Sequence, residues 1–82
     1  MNLDDQHMAE SESWIKRAIE FNTKHNTYWE LARDYSVYAD WYKKKVDKVA
    51  AKDHLTRAID LFRECGADGW VTITEEKLAR LM

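Results

Sequence analysis

The chain has 82 residues, 45% hydrophobic and 34% charged, with two Gly, no Pro and a net charge of −2. That length allows one small domain whose core covers only somewhat over half of the surface the unfolded chain exposes, and the near balance of charge excludes a chain-wide footprint for nucleic acid or anionic lipid. No run approaches the roughly 18 apolar residues of a membrane span, the acidic stretch Met1 to Glu12 is unlike a signal peptide, and a single cysteine, Cys65, excludes an internal disulfide and fits a reducing cytoplasm.

So little turn punctuation among mixed charged and apolar residues predicts an all-α chain of long amphipathic helices. Residues 1–6 are expected to be a flexible N-terminus, and 7–82 to form one helical domain. A first helix is expected over about 7–25, where Met8, Ile15, Ala18 and Ile19, with Trp14 and Phe21 alongside, recur at helical spacing. Asn26 should end it, because Asn tolerates the left-handed conformation that closes many helices. Thr27 with Glu30 then forms a capping pair for a second helix over 27–45. In that helix Tyr28, Leu31, Ala32, Tyr35, Tyr38, Ala39 and Tyr42 follow the spacing of one core stripe. Val37 and Trp41 lie off the stripe, which suits a middle helix with neighbours on more than one side. Lys43, Lys44 and Lys45 favour its C-terminal end.

Asp47 is the expected cap of a third helix over 47–65. Ala51, Leu55, Ala58, Ile59, Phe62 and Cys65 form its stripe, and Gly66 is its stop. The short second connection implies an antiparallel hairpin. A fourth helix is expected over 70–82, capped by Thr72 with Glu75 and carrying Leu78, Leu81 and Met82.

The chain also repeats itself at an offset of 40 residues. Ile15-Lys16-Arg17-Ala18-Ile19-Glu20-Phe21 aligns with Leu55-Thr56-Arg57-Ala58-Ile59-Asp60-Leu61, three positions being identical. Without a gap, Asn26 then meets Gly66, Leu31 meets Val71, Tyr38 meets Leu78 and Ala39 meets Ala79. The first helix corresponds to the third and the second to the fourth. With Tyr35, Tyr38, Ala39 and Tyr42 in one helix and Ala51, Leu55 and Ala58 in the next, the unit resembles a long-period variant of the tetratricopeptide repeat. It departs from that family in lacking the Gly favoured between the helices, Val46 standing near that place, and in having no Pro to end the unit. The resemblance implies an α-α superhelix of antiparallel hairpins that binds proteins or peptides and acts as a scaffold. An ordinary four-helix bundle is the simpler alternative.

On the second helix Trp29, Arg33, Ser36, Asp40 and Lys43 make a separate stripe at spacings of 4, 3, 4 and 3. The resemblance implies that Arg33, Ser36, Asp40 and Lys43 contact a ligand in a groove lined by first helices; otherwise the stripe is a solvated face. Stacked repeats bury each unit against its neighbours. About two units' worth of helices should therefore leave Trp70, Leu78, Leu81 and Met82 at one end, or Trp14 and Phe21 at the other, open for self-association into a homo-oligomer.

Chemistry is sparse. His7, His25 and His54 lack metal-ligand spacing, His54 is expected at a helix surface, and Cys65 is expected as a buried, inert thiol. There is no phosphate loop or nucleophile elbow, so neither an enzyme nor a cofactor or metal is expected. One runner-up function remains: Lys43, Lys44, Lys45, Lys48 and Lys52 crowd one turn, and the segment 43–57 could bind nucleic acid or serve a regulatory protein. The acidic N-terminus of a second copy could also dock on that turn.

Overall fold

A computed structural model describes residues 3–81, with side chains from residue 6 onward. It contains α1 (Leu3–Lys24), α2 (Tyr28–Lys44), α3 (Lys48–Glu64) and α4 (Asp68–Leu81), and no strand among the described residues. The chain is all-α, as the composition predicts, and each helix packs on its neighbour in sequence. The result is a slab of 43 × 32 × 16 Å, thin against a helix diameter of about 10 Å.

Three turns with one geometry set this arrangement. In each, one residue takes positive φ: Asn26 (56°), Val46 (61°) and Gly66 (70°). The backbone bonds are the same each time. Thr27 N–H reaches Asn22 O, Asp47 N–H reaches Tyr42 O and Ala67 N–H reaches Phe62 O, at 2.9–3.0 Å. The residue before each donates three positions back, which completes the paired bonds of a Schellman motif and satisfies otherwise orphaned carbonyls. Asn26 and Gly66 match the sequence expectation. Val46 does not signal its own turn, because a branched Cβ opposes the left-handed region; it is held there while 80% exposed.

The tightest pairing is α2 on α3, where Ala32, Ala39, Ala51 and Ala58 are at most 2% exposed. Small side chains let the two backbones approach. Leu31, Tyr38, Leu55, Ile59 and Phe62 fill the space around them. Tyr35 and Tyr42, well inside the expected stripe, are only half-buried, and Tyr28 is exposed. Off the stripe, Trp41 reaches α1, its Nε1 donating to the Met8 carbonyl at 2.8 Å, while Val37 stays exposed.

Several local expectations are corrected. α1 begins at Leu3, so of the flexible N-terminus expected over 1–6 only residues 1 and 2 lie outside the described residues. The Trp41 bond ties its early turns to α2. Thr27 does not cap α2 with its side chain; its hydroxyl donates to Asn22 Oδ1 at 2.7 Å. Asp47 does cap α3, accepting from Ala50 N–H at 3.1 Å. α4 starts at Asp68, two residues early, so Thr72 lies inside it and donates to the Asp68 carbonyl. Cys65 is exposed: its backbone is still helical, but it is the C-cap residue of α3, at the very end of the stripe. His54 is half-buried, with Tyr35, Tyr38 and Tyr42 ring centroids 4.8–5.7 Å away.

Polar groups join α1 to α2. Asn22 Nδ2 donates to Asp34 Oδ2 at 2.6 Å, and both residues are buried. Tyr38 donates to Glu12 Oε2 at 2.6 Å and accepts from Tyr42. Burial of Tyr38, and then its bond to Glu12, raise its pKa far above the ordinary phenol value.

Candidate protein-binding cleft

The polar stripe expected on α2 faces α4. Trp29 is half-buried and built into an aromatic trio, its ring centroid 6.2 Å from Phe62 and 5.7 Å from Trp70. It is therefore part of the wall and not a free apolar anchor. Arg33 is exposed, with its guanidinium 5.7 Å from the Trp29 ring. Ser36 is buried, and Asp40 and Lys43 are exposed.

From α4, Lys77 crosses to this stripe. Its Nζ donates to Ser36 Oγ at 3.4 Å and pairs with Asp40 Oδ2 at 3.5 Å. The side chain divides the cleft into two recesses. One, of about 110 Å³, is lined by Arg33, Ser36, Val37, Phe62, Trp70, Ile73, Thr74 and Lys77, and is mainly apolar. The other, of about 150 Å³, lies among Ala39, Asp40, Lys43, Leu55, Lys77, Arg80 and Leu81, with three cations against one carboxylate. Each is well below the roughly 300 Å³ at which small-molecule sites begin. Each is the size of one side chain.

Beyond Asp40 the surface continues into a hollow of about 350 Å³ between α2 and α1, lined by His7, Met8, Ser11, Ile15, Val37, Asp40, Trp41 and Lys44. Arg33, Ser36, Val37, Asp40 and Lys44 thus form the floor of a trough whose two sides are α4 and α1. Of the expected stripe, Arg33, Ser36 and Asp40 lie on this floor; Val37 and Lys44 were not in the stripe, nor was the α4 side of Trp70, Ile73, Lys77 and Arg80. The 40-residue offset carried the signal, since Arg33 corresponds to Ile73 and Asp40 to Arg80.

The residues expected to self-associate divide sharply. Trp14 and Phe21 are 70% and 60% exposed. At the other end Trp70 stacks on Phe62 at 5.9 Å, Leu78 packs against the core, and Leu81 is half-buried. Leu78 and Leu81 are spent largely inward, Trp70 keeps 46% of its surface exposed beside that stacking contact, and Met82 lies outside the described residues. The outer residues of α4, Thr72, Glu75, Glu76 and Ala79, are exposed and carry no large apolar group; the exposed apolar residues of α4, Trp70 and Ile73, line the cleft.

No group of three or more His, Cys, Asp or Glu side chains converges among the described residues. No helix among them is long and apolar enough to cross a membrane. Compared with known protein families, curated proteins and solved structures, the chain matches none.

Proposed function

We propose that the chain is a non-enzymatic protein-interaction module of the tetratricopeptide type, a cytoplasmic scaffold that holds an extended peptide or protein segment in the α2–α4 cleft and associates with copies of itself. The observation that carries this reading is the pair of side-chain-sized recesses on either side of Lys77. An apolar ligand side chain suits the recess of Val37, Trp70 and Ile73. An acidic one suits the recess where Lys43, Lys77 and Arg80 outnumber Asp40. Charge-assisted hydrogen bonds and one buried apolar anchor are the usual sources of affinity in such sites. The equal turn geometry at 26, 46 and 66 supports a repeat over a bundle of unrelated helices.

The test is affinity capture with Arg33→Ala plus Asp40→Ala against the unaltered chain. Both side chains are exposed, so the fold should survive, and proteins bound through the cleft should be lost. Equal capture by both forms would sink the cleft. The basic turn is a weaker second reading: Lys43, Lys44, Lys45, Lys48 and Lys52 are all exposed, although Lys45 already lies 5.5 Å from the Trp41 ring. Binding of single-stranded RNA or duplex DNA that falls steeply with salt would favour it.

A further inference from the structure

We infer that two copies of this chain pair through α1, laid antiparallel across a two-fold axis near Arg17 and Ala18, with Trp14 of one copy against Phe21 of the other. This rests on the self-association in the proposed function and names its face and symmetry.

The first support is the repeat itself. At an offset of 40, Trp14, Arg17, Ala18 and Phe21 correspond to His54, Arg57, Ala58 and Leu61. On α3 that row is covered by a helix. His54 sits among three α2 tyrosines, Arg57 lies 5.8 Å from the Tyr35 ring and Ala58 is fully buried. On α1 no other helix stacks a ring or cation on this row among the described residues: Arg17 lies 5.4 Å from the Trp14 ring, and His25, just past the end of α1, stacks on Phe21 at 4.1 Å. The row lies roughly 120° around the helix from Glu12, Ile15, Ile19 and Asn22, at 100° per residue. It is therefore a helix-accepting face with no helix on it.

The second support is charge. Along α1, residues 3–13 hold Asp4, Asp5, Glu10 and Glu12 and no Lys or Arg, whereas 14–24 hold Lys16, Arg17 and Lys24 against Glu20. Antiparallel copies set each acidic half beside a basic half. Parallel copies would set like against like. With Trp14 opposite Phe21, Glu10 falls beside Lys24 of the other copy. The third support is the contrast between the ends. The outer face of α4 is polar, so it offers α1 of another copy little to bury, and head-to-tail stacking is disfavoured against a closed, isologous pair.

Sedimentation equilibrium of the full chain should give a dimer at tens of micromolar. Trp14→Ala plus Phe21→Ala should weaken it about 100-fold, the loss expected of a central aromatic pair, with unchanged helical circular dichroism. Glu10→Lys and Lys24→Glu should each weaken it by up to about tenfold, and together restore it. In a Cys65→Ser background, Ala18→Cys should form an intermolecular disulfide on oxidation, a readout that does not depend on the aromatic variants folding. A monomer at hundreds of micromolar would overturn both this pairing and self-association. A dimer indifferent to the aromatic double variant would overturn this pairing alone, and growth beyond the dimer would overturn its closed symmetry.

Discussion

Replacing Val46 by Gly should stabilise the protein. Val46 holds φ of 61° at the same turn position where Gly66 holds 70°. A left-handed backbone costs an L-residue about 1–2 kcal/mol, and branching at Cβ puts Val at the upper end of that range. Gly removes this cost but returns about 0.5–1 kcal/mol through the greater freedom of the unfolded chain. The lost side-chain burial is small, because Val46 is 80% exposed. The net gain is about 1–1.5 kcal/mol, or roughly 4–12 °C in melting temperature for a chain of this size. The reciprocal change isolates the cause. A Cβ at Gly66 would meet nothing within 4 Å, and the matching turn holds a Val that is 80% exposed, so Gly66→Val should lose a similar amount, chiefly through the backbone. Urea unfolding would measure both, with an unchanged slope excluding an effect on the denatured ensemble. If Val46→Gly lowered the midpoint, or Gly66→Val left it unmoved, the equivalence of the turns would be wrong.

Other perturbations follow from the joint between α1 and α2. Asn22→Ala leaves the buried Asp34 carboxylate without its amide donor and should cost about 1–3 kcal/mol; adding Asp34→Ala should cost less than the sum of the singles, as a double-mutant cycle in urea would measure. Tyr38 binds its phenolic proton more tightly in the folded chain than in the unfolded one. That stability is fully present below the ordinary phenol value of about 10 and is lost as pH rises from there toward the folded value. Tyr38→Phe should flatten this alkaline loss, and the tyrosinate absorbance of Tyr38 should develop only with unfolding. Cys65, exposed just beyond the end of α3, should react with a thiol reagent in the native protein as fast as in urea; protection would mean that the face around it is covered.

The number and order of the helices were legible because the apolar spacing of each is long and regular. The ends were less so. The start of α4 at Asp68 mirrors that of α2 at Tyr28, so the 40-residue offset held the answer that the capping pattern at Thr72 obscured. Val46 was illegible in principle. Its own preference opposes the turn, and the close α2–α3 pairing overrides it. Asn22 and Asp34 were missed because polar residues read as solvated, although Asp34, three residues after Leu31 and four before Tyr38, borders the core stripe on the side joined to α1. Most of the floor of the cleft could be read from one helix, but its other wall required knowing that Lys77 crosses to Ser36 and Asp40.

Those contacts divide α2 into two faces of unequal strength. Toward α1 and α3 it is held by buried groups: the Asn22–Asp34 bond, the Tyr38–Glu12 bond and alanines at most 2% exposed. Breaking the Asn22–Asp34 bond costs kilocalories, because a buried partner is left unsatisfied, and enlarging a buried alanine forces the helices apart. Toward α4 the Trp29–Trp70 contact holds one end, and across the cleft itself the link is the Lys77–Asp40 pair, whose side chains are 40% and 55% exposed. Exposed pairs of this kind contribute about 0–1 kcal/mol. A ligand carboxylate that takes Lys77 from Asp40 therefore meets almost no opposing free energy, and the released Asp40 is rehydrated rather than stranded. The cleft can be remodelled by a ligand while the frame that positions it stays fixed.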